Sequence, residues 1–178
     1  MILPAPFVPS GPANNEIWYT SSDGNIVTPY QASSLPTIVS NTYVRGKGII
    51  KCASDITSIG KFAFELCASL TSVTIPDSVT DIGAYSFYKC SGLTSVTIPN
   101  SVTIIGECSF RYCGGLTSLT IGNSVKSIDQ EAFANCSGLT SISYTGTIAQ
   151  WKAITKGRWW NDNVPATVVH CTDGDTHI

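Results

Sequence analysis

Apolar and polar positions along this chain follow a pattern that returns every 23 residues. In the stretch LTSVTIPDSVTDIGAYSFYKC, residues 70–90, Leu70, Val73 and Ile75 are apolar, and Ser72 and Thr74 alternate with the last two. That alternation predicts a short strand with one face inward. Pro76 withholds an N–H and ends it. Val79 and Ile82 turn inward again on a short irregular or extended side. Gly83 follows at a point where the backbone is expected to need positive φ, as at Gly60 and Gly106, and Asp129 in the fourth copy tolerates that conformation better than most residues. Phe87 and Cys90, three apart, predict a turn of helix. Four columns keep this register, each in steps of 23: Leu70, Leu93, Leu116 and Leu139; Phe64, Phe87, Phe110 and Phe133; Cys67, Cys90, Cys113 and Cys136; Ile59, Ile82, Ile105 and Ile128. The small residues Ala63, Ser86, Ser109 and Ala132 beside the phenylalanines predict close packing there.

A unit this short cannot bury its own apolar edge. Stacked in register, the units form one continuous core, which predicts a repeat solenoid over residues 46–144. Both ends then need closure. At the front, over 15–45, Ile17–Thr20 and Ile26–Tyr30 read as a hairpin joined by Asp23-Gly24, with Trp18, Tyr19 and Tyr30 supplying bulk. Ile50, Cys52, Ile56 and Ile59 fill a first, degenerate unit. At the back, over 145–178, TIAQWKAI predicts a short amphipathic helix with Thr147 as its N-cap, and ATVVHC, 166–171, a last strand. Residues 1–14 are rich in proline and read as a disordered linker ahead of a single domain over 15–178.

The repeated text, L-x-x-V-x-I-P-x-x-V-x-x-I-G-x-x-x-F-x-x-C, resembles the BspA-like leucine-rich repeat of bacterial and some protozoan surface proteins. The flanking stretches NNEIWYTSSDGNIVTPY and YTGTIAQWKAITKGRWWNDNVPATVVHC look like those beside such arrays in gut anaerobes. The resemblance implies an α/β right-handed leucine-rich-repeat superhelix with a parallel β-sheet face. It also implies an extracellular or surface-attached protein that binds a host or microbial surface protein.

Composition narrows this little. Of 178 residues only 12% are charged, about half the usual fraction, so the surface is hydroxyl-rich rather than ionic. Ten basic and twelve acidic residues give a net charge of −2, without the clustered basic face of a nucleic-acid binder. No apolar run approaches the roughly 18 residues of a membrane span. The start, MILPAPFVPSGPANNE, lacks the basic and apolar regions of a signal peptide. Either the protein is not exported, or a targeting segment or further domain lies outside this sequence.

Candidate chemistry is sparse. Seven cysteines at ladder spacing argue against a full disulfide framework and for buried free thiols at Cys67, Cys90, Cys113 and Cys136, with Cys108 more exposed. No C-x-x-C occurs, so zinc is not expected. His170 and Cys171 are neighbours on a strand and point to opposite faces, which separates a nucleophile from its base. Asp173 and Asp175 are too few for calcium. Asn135-Cys136-Ser137 fits the glycosylation pattern, but its cysteine is in a core column. There is no phosphate-binding loop and no dinucleotide fingerprint. No catalytic residue, metal or cofactor is expected.

Outward strand positions barely vary: Thr71, Ser72 and Thr74 become Thr94, Ser95 and Thr97, then Thr117, Ser118 and Thr120. Variation concentrates around the helical turn, at Lys61, Glu65, Tyr88, Lys89, Arg111 and Tyr112. These residues, with Trp159 and Trp160 as the best candidates for exposed tryptophans, are the candidate partner-binding set of a monomeric, non-catalytic adhesion module. Two other readings stand beside it: a structural spacer or display domain without a ligand, and a carbohydrate-binding module built on the terminal tryptophans.

Overall fold

The computed structural model of the protein describes residues 11–178, so most of the expected linker lies outside the described residues. Asn14 already belongs to the fold: its carbonyl accepts from the Ile56 amide at 2.8 Å and from Ser78 Oγ at 3.1 Å.

The described strands are β1 (Glu16–Ser21), β2 (Ile38–Val44), β3 (Lys47–Cys52), β4 (Ser58–Ile59), β5 (Leu70–Thr74), β6 (Asp81–Ile82), β7 (Ser95–Ile98), β8 (Ile104–Ile105), β9 (Ser118–Ile121), β10 (Ser127–Ile128), β11 (Ser141–Tyr144), β12 (Thr155–Lys156), β13 (Val168–Cys171) and β14 (Gly174–His177). The one α-helix among the described residues is α1 (Ile148–Ala153), between β11 and β12. A five-stranded parallel sheet, β12-β10-β8-β6-β4, takes one strand from each of five coils. The other sheet has nine strands in the order β14-β13-β11-β9-β7-β5-β1-β3-β2, and its stretch from β5 to β13 is parallel. Pairing is in register with the repeat: Ser72 faces Ser95, Ser95 faces Ser118, and Ser118 faces Ser141.

This register puts like on like. Leu70, Leu93, Leu116 and Leu139 are all fully buried, as are Phe87, Phe110 and Phe133. The four rings of Phe64, Phe87, Phe110 and Phe133 stack with centroids 5.2, 5.0 and 5.2 Å apart and planes within 7° of parallel. Burying each such ring is worth about 1.5–3 kcal/mol. Outward threonines bond from coil to coil: Thr94 Oγ1 donates to the Thr71 carbonyl and Thr117 Oγ1 to that of Thr94, both at 3.1 Å.

The expected helical turns are absent. Residues 60–67 form a train of tight turns, with Ala63, Glu65 and Cys67 amides bonded to the carbonyls of Gly60, Phe62 and Phe64. The intervening amides of Phe62, Phe64 and Leu66 reach instead to Ala84, Ser86 and Tyr88 of the next coil. A helix would spend every amide within its own segment; this arrangement spends half of them holding coils together. It repeats at Tyr85, Phe87 and Lys89, at Cys108, Phe110 and Tyr112, and at Glu131, Phe133 and Asn135.

The glycine column is there for a different reason than φ. Positive φ falls at Phe62, Leu66, Tyr85, Lys89, Cys108 and Tyr112, not at Gly60, Gly83, Gly106 or Asp129. A Cβ at Gly83 would lie 2.8 Å from the Lys61 amide nitrogen, and one at Gly106 would lie 2.8 Å from that of Ala84. Close approach of stacked backbones is what demands glycine here.

The ends also depart from expectation. Ile26–Tyr30 forms no strand and no hairpin with β1; β1 lies antiparallel between β3 and β5, and the hairpin is β2–β3, closed by Arg45 and Gly46. Val27 and Leu35 are buried at this end. At the other end α1 has the expected Thr147 cap, as a capping box with Gln150. Asp173, on the β13–β14 turn, accepts from the Ile148 amide at 2.7 Å, so its carboxylate completes the helix N-terminus. The strand expected over 166–171 begins at Val168.

Candidate functional site

The turn train decides what the variable residues present. Phe62, Tyr85, Cys108 and Glu131 share one positive-φ column; Leu66, Lys89, Tyr112 and Asn135 share a second. L-residues pay about 1–2 kcal/mol for this conformation, and Gly or Asn pay least. Bulky aromatic and aliphatic residues hold it here at Phe62, Leu66, Tyr85 and Tyr112.

Side chains from successive coils then meet on the outside of the turns. Tyr85 packs against Phe62 at 5.4 Å and edge-on against Tyr88 at 5.4 Å; Tyr88 meets Tyr112 edge-on at 5.8 Å. Cations lie over these rings: Lys61 Nζ is 4.8 Å from Phe62, Lys89 Nζ is 5.3 Å from Tyr88 and 5.9 Å from Tyr112, and the Arg111 guanidinium is 4.9 Å from Tyr112. Arg111 pairs with Glu131 on the next coil, and Tyr85 donates to Glu107 at 3.4 Å. The Tyr85 phenol is pushed up to about 12, first by its hydrogen bond with the Cys108 thiol and then by desolvation and the Glu107 carboxylate. The patch therefore offers aromatic surface edged by the Lys61, Lys89 and Arg111 side chains.

Of the sequence-derived set, Tyr88, Lys89, Arg111 and Tyr112 come together in this patch. Lys61 and Glu65 lie at its N-terminal margin, where Glu65 helps line a cavity of about 250 Å³ with Ile26, Tyr30, Leu66 and Cys67. Trp159 is 52% exposed on the last coil under the Arg158 guanidinium, 4.4 Å away. Trp160 is buried, with its ring edge-on to Phe133 and Trp151, so it closes the core and presents nothing to a partner. The reading by variation missed Phe62, Tyr85 and Glu131; their column does vary in identity, which was the available signal.

The thiols are structural. Cys90, Cys113 and Cys136 are buried and donate to the carbonyls of Phe64, Phe87 and Phe110 at 3.0, 3.2 and 3.1 Å. Cys67 is only half-buried, and Cys108, expected to be the more exposed, is 2% exposed beneath Tyr85 and Glu131. All seven cysteines are free. Burial pushes the Cys67 thiol up to about 11 and Cys136 to about 12, and raises Cys90 and Cys113 further. His170 bonds Asp175 across β13–β14 at 2.9 Å, and on its other side it is paired in register with Ser143 of β11. On the nine-stranded sheet a cavity of about 670 Å³ is lined by Thr74, Thr97, Thr120, Asn100 and Asp77. These residues give it hydroxyls, one amide and one carboxylate, and no cationic side chain lines it.

A model of the BspA type leucine-rich repeat region matches residues 49–154 in six copies. Among solved structures, the chain is similar to a leucine-rich repeat protein of T. pallidum, at 30% identity over 56% of this chain and 44% of that one, with a TM-score of 0.49. It is similar to a leucine-rich cell surface protein of Faecalibacterium prausnitzii A2-165, at 33% identity over 57% and 33% of the two chains, with a TM-score of 0.47. A leucine-rich repeat protein of Bacteroides ovatus ATCC 8483 shares 27% identity over 86% of this chain and 41% of that one, with a TM-score of 0.47. The chain spans less than half the length of each of these three proteins. A search of curated proteins finds no match.

Proposed function

Because the chain belongs to the BspA-type leucine-rich repeat family of bacterial surface proteins, we propose that it is a non-catalytic protein-binding and adhesion module, working outside the cell or at its surface. Residues 15–178 act as one domain. The partner is a host or microbial surface protein, and it is met by the outside of the turns: Lys61, Glu65, Tyr88, Lys89, Arg111 and Tyr112, joined by Phe62 and Tyr85. One observation carries this reading. Tyr85 and Tyr88 of one coil and Tyr112 of the next meet ring to ring on the outside of the turns, with Lys89 and Arg111 beside the Tyr112 ring. Tyr and Arg are also the side chains that anchor protein interfaces most often.

Beads coated with the protein are expected to adhere to epithelial or bacterial cells. Beads carrying Lys61→Glu, Tyr88→Ala, Lys89→Glu and Tyr112→Ala together, with an unchanged far-ultraviolet spectrum, should fall to the level of uncoated beads. Full adhesion by this folded variant would remove the turn side as the binding surface. The spacer reading is favoured by the uniform Ser/Thr ladder of the sheet, and it expects no adhesion by either protein.

A further inference from the structure

The nine-stranded sheet ends in two edges, β14 and β2. They are protected differently. β14 is short and carries Asp175 and His177, the kind of charged edge that resists pairing. β2 reads IVSNTYV: seven residues, no charge and no proline. Val39 is 58% and Val44 64% exposed.

The β2–β3 hairpin fixes which groups of β2 remain unpaired. Arg45 and Gly46 both have positive φ, 51° and 82°, in a two-residue loop between Val44 and Lys47. Such a loop is flanked by a hydrogen-bonded pair, so Val44 and Thr42 turn their N–H and C=O toward β3. Asn41 and Tyr43 turn theirs outward, and among the described residues nothing bonds them. Their side chains are already committed to the inner face. Asn41 accepts from Tyr19 Oη at 2.8 Å and donates to the Val27 carbonyl at 2.9 Å, while the Tyr43 ring lies 5.8 Å from that of Tyr19. Beyond the bulge between Ile38 and Ser40, the edge is therefore held in one register and is uncharged, with Ser40, Thr42 and Val44 exposed on its other face.

We propose that β2 pairs antiparallel with β2 of a second copy of this chain, about a two-fold axis at Thr42. This departs from the monomer expected from sequence. In that register Asn41 faces Tyr43 of the other copy twice over, and each pair exchanges both backbone bonds. Thr42 meets its own symmetry mate, a favourable cross-strand pair, and Val44 lies beside Ser40. No like charges meet, because the strand has none. A two-fold contact of this kind closes on itself and stops at a dimer. It joins two solenoids by their N-terminal ends into one continuous sheet.

The test is the mass of the full chain in solution, by sedimentation across the micromolar range. The wild type should run at twice the 18.9 kDa of one chain. Thr42→Lys places two cations face to face across the axis; it should run as a monomer with an unchanged far-ultraviolet spectrum. Thr97→Lys, on the sheet away from β2, should remain a dimer. As a second probe, Thr42→Cys should form a covalent dimer under mild oxidation, since a directly opposed pair of this kind lies about 4.5 Å apart at Cα, and Val39→Cys should not. A wild type that stays monomeric, a Thr42→Lys variant that still dimerises, or equal cross-linking of the Thr42→Cys and Val39→Cys variants would each overturn the pairing.

Discussion

The ring of Phe87 lies flat against that of Phe110 one coil later, centroids 5.0 Å apart and planes 7° from parallel. Neither ring touches solvent. Truncating either leaves a cavity between two neighbouring rings that cannot close without shifting a coil. Phe87→Ala or Phe110→Ala should therefore lower stability by about 3–5 kcal/mol in urea unfolding. A midpoint unchanged in either variant would take the phenylalanine column out of the core.

Adjacent glycines separate close approach from flexibility. A Cβ on Gly115 would stand 2.4 Å from the Ser91 carbonyl oxygen, whereas the nearest atom to one on Gly114 is Ser137 Oγ at 3.5 Å. Gly115→Ala should destabilise by about 1–3 kcal/mol through overpacking. Gly114→Ala should be neutral or stabilise by up to about 1 kcal/mol by restricting the unfolded chain. Thermal melts of the two variants side by side make the comparison, and equal effects would contradict it.

Ser86 and Ser109 are fully buried, and neither hydroxyl has a partner among the described residues. Ala63 and Ala132 hold the same column one coil before and one coil after. Replacing either serine with alanine removes an unsatisfied group without opening much space. Ser86→Ala and Ser109→Ala should each raise stability by about 1 kcal/mol. A clear loss of stability would mean that these hydroxyls are bonded in solution.

The buried thiols give stability a pH dependence. Cys90, Cys113 and Cys136 ionise less readily when folded than the ordinary value near 9. A group raised in this way keeps its full contribution below the unfolded value, and loses it as pH climbs toward the folded one. Between about pH 9 and 12 the native state holds protons that the unfolded chain gives up. Stability should then fall by about 1.4 kcal/mol per pH unit for each thiol. Urea midpoints at pH 7 and pH 10.5 measure this, and the slope should flatten when all three cysteines are replaced by alanine. An equal slope in that variant would assign the loss to other groups.

The repeat was legible wherever one residue type does one job in every coil. Leu70, Phe87 and Ile82 each stack on their own kind, so their columns and the 23-residue register could be read directly, while the parallel sheet was implied by the family resemblance. Gly83 was legible as a position but not as a cause, because glycine serves both positive φ and close approach. The turn train hid behind Phe87 and Cys90, whose spacing of three suits one turn of helix as well as two tight turns. Tyr85 and Tyr112 gave no sign of positive φ, since local preference there points to Gly or Asn. Trp159 and Trp160 could not be told apart because the register slips at the last coil: Ile128 pairs with Lys156, 28 residues on, rather than 23. The N-terminal hairpin was misplaced because Asp23-Gly24 is the stronger turn signal, while the loop that closes the hairpin is Arg45-Gly46.

The central claim is that tight turns, not helices, bind each coil to the next through the amides of Phe64, Phe87, Phe110 and Phe133. Residue-resolved amide hydrogen exchange tests it most directly. These four amides should exchange only through global unfolding. Those of Trp159, Asn161 and Asn163, which face outward from the last coil with no acceptor among the described residues, should exchange faster by orders of magnitude. Rapid exchange at Phe87 and Phe110, level with that of Trp159, would contradict the account.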